Sequence, residues 1–171
     1  MAGPIPVGMS EVKTSKAVTD SLTAMGLGSC IGVCMYDPVR KIGGMAHVML
    51  PESRSGRPGD DASPGKFANT AVPELLKRLE AIGAGKTALR AAIAGGAEVF
   101  SFGAKSPVLA IGSRNTEAVK VALEQAGIRI VAEDTGGSTG RTVGLDVGTG
   151  AVTVRMVGGQ PVELACLGSS R

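Results

Sequence analysis

A cysteine and a histidine separated by one hairpin's worth of chain are the residues of this sequence best suited to chemistry. Cys30 ends the run GLGSC at 26–30, and His47, the single histidine among 171 residues, lies in KIGGMAHVMLP at 41–51. A free thiol titrates near ~8.5, so at neutral pH it needs a base or a neighbouring imidazolium before it serves as a nucleophile. No other imidazole exists here to supply either. Gly26 and Gly28 let the backbone turn tightly and approach a substrate, and nearby amide groups are available as oxyanion donors. A plainer reading stands beside this one, in which the cysteine packs in the core and the histidine is structural.

The elements around the pair form an expected hairpin. Ile31, Val33 and Met35 alternate with Gly32, Cys34 and Tyr36, the period of a strand, and a second apolar run extends from Ile42 to Leu50 beyond Asp37-Pro38-Val39-Arg40. Proline suits the second position of a tight turn. If Asp37 and Arg40 close a two-residue loop, Cys30 lies directly opposite His47, with Cβ atoms roughly 4.5–5.5 Å apart. A longer loop slides that pairing.

Elsewhere the chain reads as short strands with two helices. Strands are expected at 5–12, 21–25, 88–94, 108–112, 128–132, 142–147 and 151–157, with 13–20 a polar connection and GTG at 148–150 a hairpin turn. One helix is expected over 70–82, capped by Thr70, with Pro73 in its first turn and Gly83 at its end. The second spans 116–126, with Asn115 as cap and Gly127 past its end. The segment 53–65 has the composition of an exposed loop. The glycine pairs at 95–96 and 136–137 lack the Walker and dinucleotide patterns and read as turns, while Arg141 either supports the site or meets a partner. The expected architecture is a single α/β domain over 1–157, a layered sandwich of mixed or antiparallel sheets with two to three helices outside, and a frayed tail at 158–171.

Composition excludes several function classes. A net charge of +3 without a basic, aromatic-interleaved cluster argues against nucleic acid. Three cysteines without a Cys-x-x-Cys pair argue against a disulfide framework or structural zinc. No stretch reaches ~18 uninterrupted apolar residues, so membrane insertion is not expected and a cytoplasmic location is. Aromatics are 2% of the chain, so the core must be built from Ala, Val, Leu, Ile and Met.

The strings GLGSC, VCMYDP and KIGGMAHVMLP resemble the signature of the CheD family of chemoreceptor glutamine deamidases. The resemblance continues in KFANTAVPELL (66–76), AAIAGGAEVF (91–100), IGSRNTEAVKVAL (111–123) and AEDTGGSTGRTV (132–143), spanning about Val7 to Val157. It implies Cys30 as nucleophile, His47 as its base, and a sandwich of the cysteine-hydrolase type also found in toxin deamidases. It implies hydrolysis of receptor glutamines to glutamate in chemotaxis adaptation, with no metal or organic cofactor. The implied partners are the cytoplasmic helices of methyl-accepting chemoreceptors and a CheC-type phosphatase.

One position departs from the pattern. The family's third catalytic residue, a threonine six positions before the nucleophile, is Ala24 here, and Thr23 is its neighbour. Adjacent strand residues face opposite ways, so Thr23 substitutes only if a bulge re-aims it. The rival readings are a non-catalytic docking partner of the phosphatase and receptors, and an amidase or transglutaminase-like activity on an unrelated protein. An imidazolium-activated Cys30 is expected to alkylate faster than Cys34 or Cys166.

Overall fold

The computed structural model describes residues 3–53, 63–98 and 110–169. Ten strands and two helices run in the order β1 (Pro4–Pro6), β2 (Val12–Ser15), β3 (Ser21–Leu27), β4 (Ile31–Asp37), β5 (Ile42–Val48), α1 (Ala68–Ala81), β6 (Arg90–Gly95), α2 (Ile111–Gln125), β7 (Arg129–Thr135), β8 (Arg141–Asp146), β9 (Ala151–Met156) and β10 (Val162–Cys166). They form two mixed five-stranded sheets, β2-β5-β4-β6-β7 and β1-β3-β8-β9-β10. All pairs are antiparallel except β6 with β7 and β1 with β3. The expected α/β sandwich is therefore present.

Strand alternation builds the layers. On β4, Ile31, Val33 and Met35 join Leu75 and Leu79 of α1 and Val119 and Leu123 of α2 in one core. Cys34 and Tyr36 join Leu22, Leu27, Val143 and Leu145 of the second sheet in another. The β4–β5 sheet is thus sandwiched between helices and sheet. Every residue of these two strands is buried, and few large aromatics fill the layers. Tyr36 is the exception, and its hydroxyl donates to the Val147 carbonyl at 2.8 Å.

The hairpin forms, but its register differs from the expected one. Asp37 pairs with Ile42 across a four-residue loop, so His47 opposes Gly32 and not Cys30. Lys41 adopts the left-handed conformation at φ 55°. The Asp37 carboxylate accepts from the Val39 and Arg40 amides at 2.9 and 3.1 Å and from Gly85 N at 2.8 Å, which holds the longer turn.

The helices also start earlier than their capping residues suggest. Thr70 lies inside α1, donating to the Pro64 carbonyl at 2.6 Å, and Pro73 sits beyond the first turn. Asn115 is interior to α2 and is not a cap, and Ile111–Gly112 begin that helix where a strand was expected. Gly83 and Gly127 follow the helix ends with positive φ, as their spacing predicts. Residues 13–15 belong to β2, which splits the expected polar connection. Within the tail expected to fray, the described residues form a strand: β10 pairs with β9, and buried Leu167 donates its N–H to the Gly150 carbonyl at 2.7 Å. Most of the expected loop at 53–65 and the first part of the expected strand at 108–112 fall outside the described residues.

Candidate active site

Cys30 precedes β4 by one residue, and two fixed peptides hold it. Its carbonyl accepts from Gly96 N at 2.9 Å, and the Gly28 carbonyl accepts from Ala97 N at 2.8 Å. Only glycine fits at 95, where φ is 118° and an added Cβ would lie 2.1 Å from the Cys30 oxygen. The glycine pair at 95–96 is therefore a turn that seats the Cys30 loop.

His47 stands on the same side of the sheet as Cys30. Met45, two residues before it, packs in the core between the sheets, and Cys30 borders that same core. Because His47 opposes Gly32, Cys30 is its diagonal neighbour, at a Cα spacing of roughly 7–8 Å that long side chains cross. Gly32, opposite His47, lets the facing sheet pack closely here, since a Cβ would approach Val143 Cγ1 to 2.6 Å and Leu27 Cδ1 to 3.3 Å.

The imidazole is 2% exposed, and its orientation is fixed by the main chain. Nδ1 lies 3.0 Å from the Val7 carbonyl, which only accepts, so Nδ1 carries the proton of this hydrogen bond. In the neutral ring Nε2 then presents its lone pair, and it is buried with no partner among the described residues. Val7 N in turn donates to the Thr23 carbonyl at 2.8 Å, and Pro6 pairs with Thr23. Ser10 N and the Glu11 carbonyl hold the His47 peptide at 3.0 Å each.

Thr23 thus enters this arrangement through its backbone. It pairs regularly with Gly144, and the register shift of β3 comes later, between Ala24 and Leu27. No bulge re-aims its side chain, which lies on the opposite face from buried Ala24. Ala24 occupies the inter-sheet core. The acceptor that orients His47 is a carbonyl, a group with no side-chain signal in the sequence.

Burial pushes the Cys30 thiol above its ordinary range, opposed by its own backbone N–H. Desolvation thus works against the expected imidazolium-stabilised thiolate. Cys34 is fully enclosed and pushed up to about 12, an inert core residue.

Arg141 holds together the loop between β7 and β8. Almost fully buried, it bonds the Asp134 carboxylate at 2.7 Å and carbonyl at 2.6 Å, the Thr139 carbonyl at 3.3 Å, and the Gly136 carbonyl. That loop reaches the 95–96 turn beside Cys30 through Gly136 N to the Gly95 carbonyl at 3.0 Å. Of the two roles open for Arg141, support of the site is the one its contacts serve. Among the described residues no His, Cys, Asp and Glu cluster could hold a metal ion. No described helix is long and apolar enough to cross a membrane.

Comparison with known proteins places these features in a family. A probable chemoreceptor glutamine deamidase CheD of Desulfitobacterium hafniense is 50% identical over 157 residues, covering 92% of this chain and 96% of its own. Proteins of the same name from Symbiobacterium thermophilum and Clostridium kluyveri are 47% and 46% identical over 158 and 154 residues. They span 92% and 90% of this chain and 95% and 93% of their own. A solved hypothetical protein, YfiH of Bacillus licheniformis, covers 72% of this chain and 51% of its own at 14% identity and a TM-score of 0.45, too loose a likeness to argue from. The family model for CheD chemotactic sensory transduction matches residues 49–156, and with these relatives it shows that the chain belongs to the CheD family.

Proposed function

We propose that this chain hydrolyses the side-chain amide of glutamines in the cytoplasmic helices of chemoreceptors, giving glutamate as a step of chemotaxis adaptation in the cytoplasm. The observation that carries the reading is the oriented imidazole: among the described residues His47 Nε2 has no partner, on the face that bears Cys30. Support comes also from relatives about half identical that are named chemoreceptor glutamine deamidases.

The steps follow from the placement of the pair. His47 Nε2 takes the Cys30 proton as sulfur attacks the carboxamide carbon, forming a C–S bond and a tetrahedral oxyanion. Collapse breaks the C–N bond, and protonated His47 gives its proton to the departing ammonia. Water, deprotonated by His47, adds to the thioester. The second collapse breaks the C–S bond and returns the proton to the Cys30 sulfur. No step requires a metal or an organic cofactor.

Docking to a CheC-type phosphatase belongs to the same proposal, on the strength of the family resemblance. The absence of a threonine at 24 favoured docking as the whole function. The Val7 carbonyl supplies the orienting acceptor without it, and favours catalysis. The test is ammonia release from assembled receptor cytoplasmic fragments. Release by wild type and none by Cys30→Ala, with phosphatase capture retained by both, supports the proposal; no release by folded wild type removes the enzymatic reading.

A further inference from the structure

Asn115 is a buried polar side chain inside a helix that neither capping nor the proton transfers explain. It is completely buried, and its Nδ2 donates to two carbonyls, Ser29 and Met49, at 2.9 Å each. With both contacts to acceptors, the amide orientation is unambiguous. Its Oδ1 has no partner among the described residues. A buried unpaired acceptor costs ~1–3 kcal/mol. Its two donors therefore have to earn their place, and what they hold is the peptide before Cys30 and the strand end two residues past His47.

A trans peptide places its C=O and N–H on opposite sides of one plane. Anchoring the Ser29 oxygen on Asn115 therefore turns the Cys30 N–H the other way. Among the described residues that N–H meets no acceptor besides its own sulfur, whereas the Cys30 carbonyl is taken by Gly96 N. The amide is thus unspent and directed to the reacting sulfur. The helix comes close enough for this because Gly112, one turn earlier, abuts the Gly96 carbonyl, where a Cβ would lie 2.5 Å away.

Resting on the thiol amidohydrolase reading above, we propose that the Cys30 N–H is an oxyanion donor for the two tetrahedral intermediates, and that Asn115 is the positioning residue that aims it and sets Cys30 against His47. Asn115 touches no reacting atom.

The experiment compares wild type with Asn115→Asp and Asn115→Ala in glutamine turnover, each normalised to folded enzyme. Misaiming one oxyanion donor should lower kcat by about 10²-fold with KM within about threefold. Unchanged kcat per folded molecule, with only the melting temperature lowered, would make Asn115 structural and overturn the inference while leaving the deamidase reading intact. Failure of wild type to turn over glutamine overturns both. Should neither variant fold, wild type labelled with ¹⁵N-cysteine decides. A receptor peptide whose target carboxamide is replaced by an aldehyde adds to Cys30 and puts an oxygen at the oxyanion position. The Cys30 amide proton, one of three cysteine signals, should move downfield and gain exchange protection; no response overturns the inference.

Discussion

Adding one methyl group at Gly32 should damage activity more than stability. The new Cβ would lie 2.6 Å from Val143 Cγ1, where carbon contacts settle at about 3.5–4.0 Å, so the two must part by roughly 1 Å. Leu27 Cδ1, at 3.3 Å, can swing aside, but Val143 is fully buried in the facing sheet and stiff at χ1. Overpacking of this kind costs about 1–3 kcal/mol. The His47 ring bonds the Val7 carbonyl, which the facing sheet holds through Thr23, so parting the sheets there also pulls the imidazole out of its orientation, and a displacement near 1 Å costs about 10²-fold in rate. Val143→Ala removes the clashing methyl and leaves room that the alanine at 32 would fill. The assays are urea denaturation and glutamine turnover on the two single variants and the double. Their double-mutant coupling should be favourable by at least ~1 kcal/mol, with part of the lost rate restored. A Gly32→Ala protein of wild-type stability and rate, or strict additivity in the double, would refute the argument that glycine sets the spacing of the sheets at His47.

Three further outcomes follow from the geometry. Thr23→Val should keep turnover within about twofold, because only the Thr23 carbonyl reaches Val7; a loss of 10²-fold or more would restore the hydroxyl to the site. Alkylation of Cys30 by iodoacetamide in the free enzyme should keep climbing past pH ~8.5, since burial raises its pKa and the thiolate fraction grows tenfold per pH unit below it. A plateau reached below pH 7 would mean a preformed thiolate. Arg141→Ala should destabilise the protein by on the order of 3 kcal/mol in chemical denaturation, since it strips donors from three carbonyls of the 134–139 loop. A change below ~0.5 kcal/mol would show that the loop holds without it.

The sequence makes the Cys30–His47 pairing legible for a reason that survives the wrong register. A two-residue loop was expected and a four-residue loop formed, which slides the partner strand by two positions. Side chains alternate with period two, so that slip moves His47 along the face without turning it over. A slip of one would have sent it to the helices. The loop length was hidden because an Asx-type turn at Asp37 and a left-handed Lys41 satisfy a longer connection as well as proline suits a short one.

What stayed out of reach was tertiary. Asn115 reads as a helix cap, since asparagine before an apolar stripe usually is one. Its partners lie 86 and 66 residues away in the chain. The Val7 carbonyl is invisible because every residue has one. Strand β10 was missed because Gly158 and Gly159 suggest an ending, yet they make the turn by which Val162–Cys166 folds back on β9. Spacing shows that Cys30 is near an imidazole in the chain, but not that burial desolvates the thiol and disfavours its charged form.

The central claim is that Cys30 and His47 together convert receptor glutamine to glutamate. Mass spectrometry of receptor cytoplasmic fragments, incubated in ¹⁸O-water with wild type, Cys30→Ala and His47→Ala, tests it most directly. The account predicts defined glutamines converted by wild type with one ¹⁸O in each new carboxylate, and no conversion by either variant. Conversion by the Cys30→Ala protein, or none by folded wild type on assembled receptors, would contradict it.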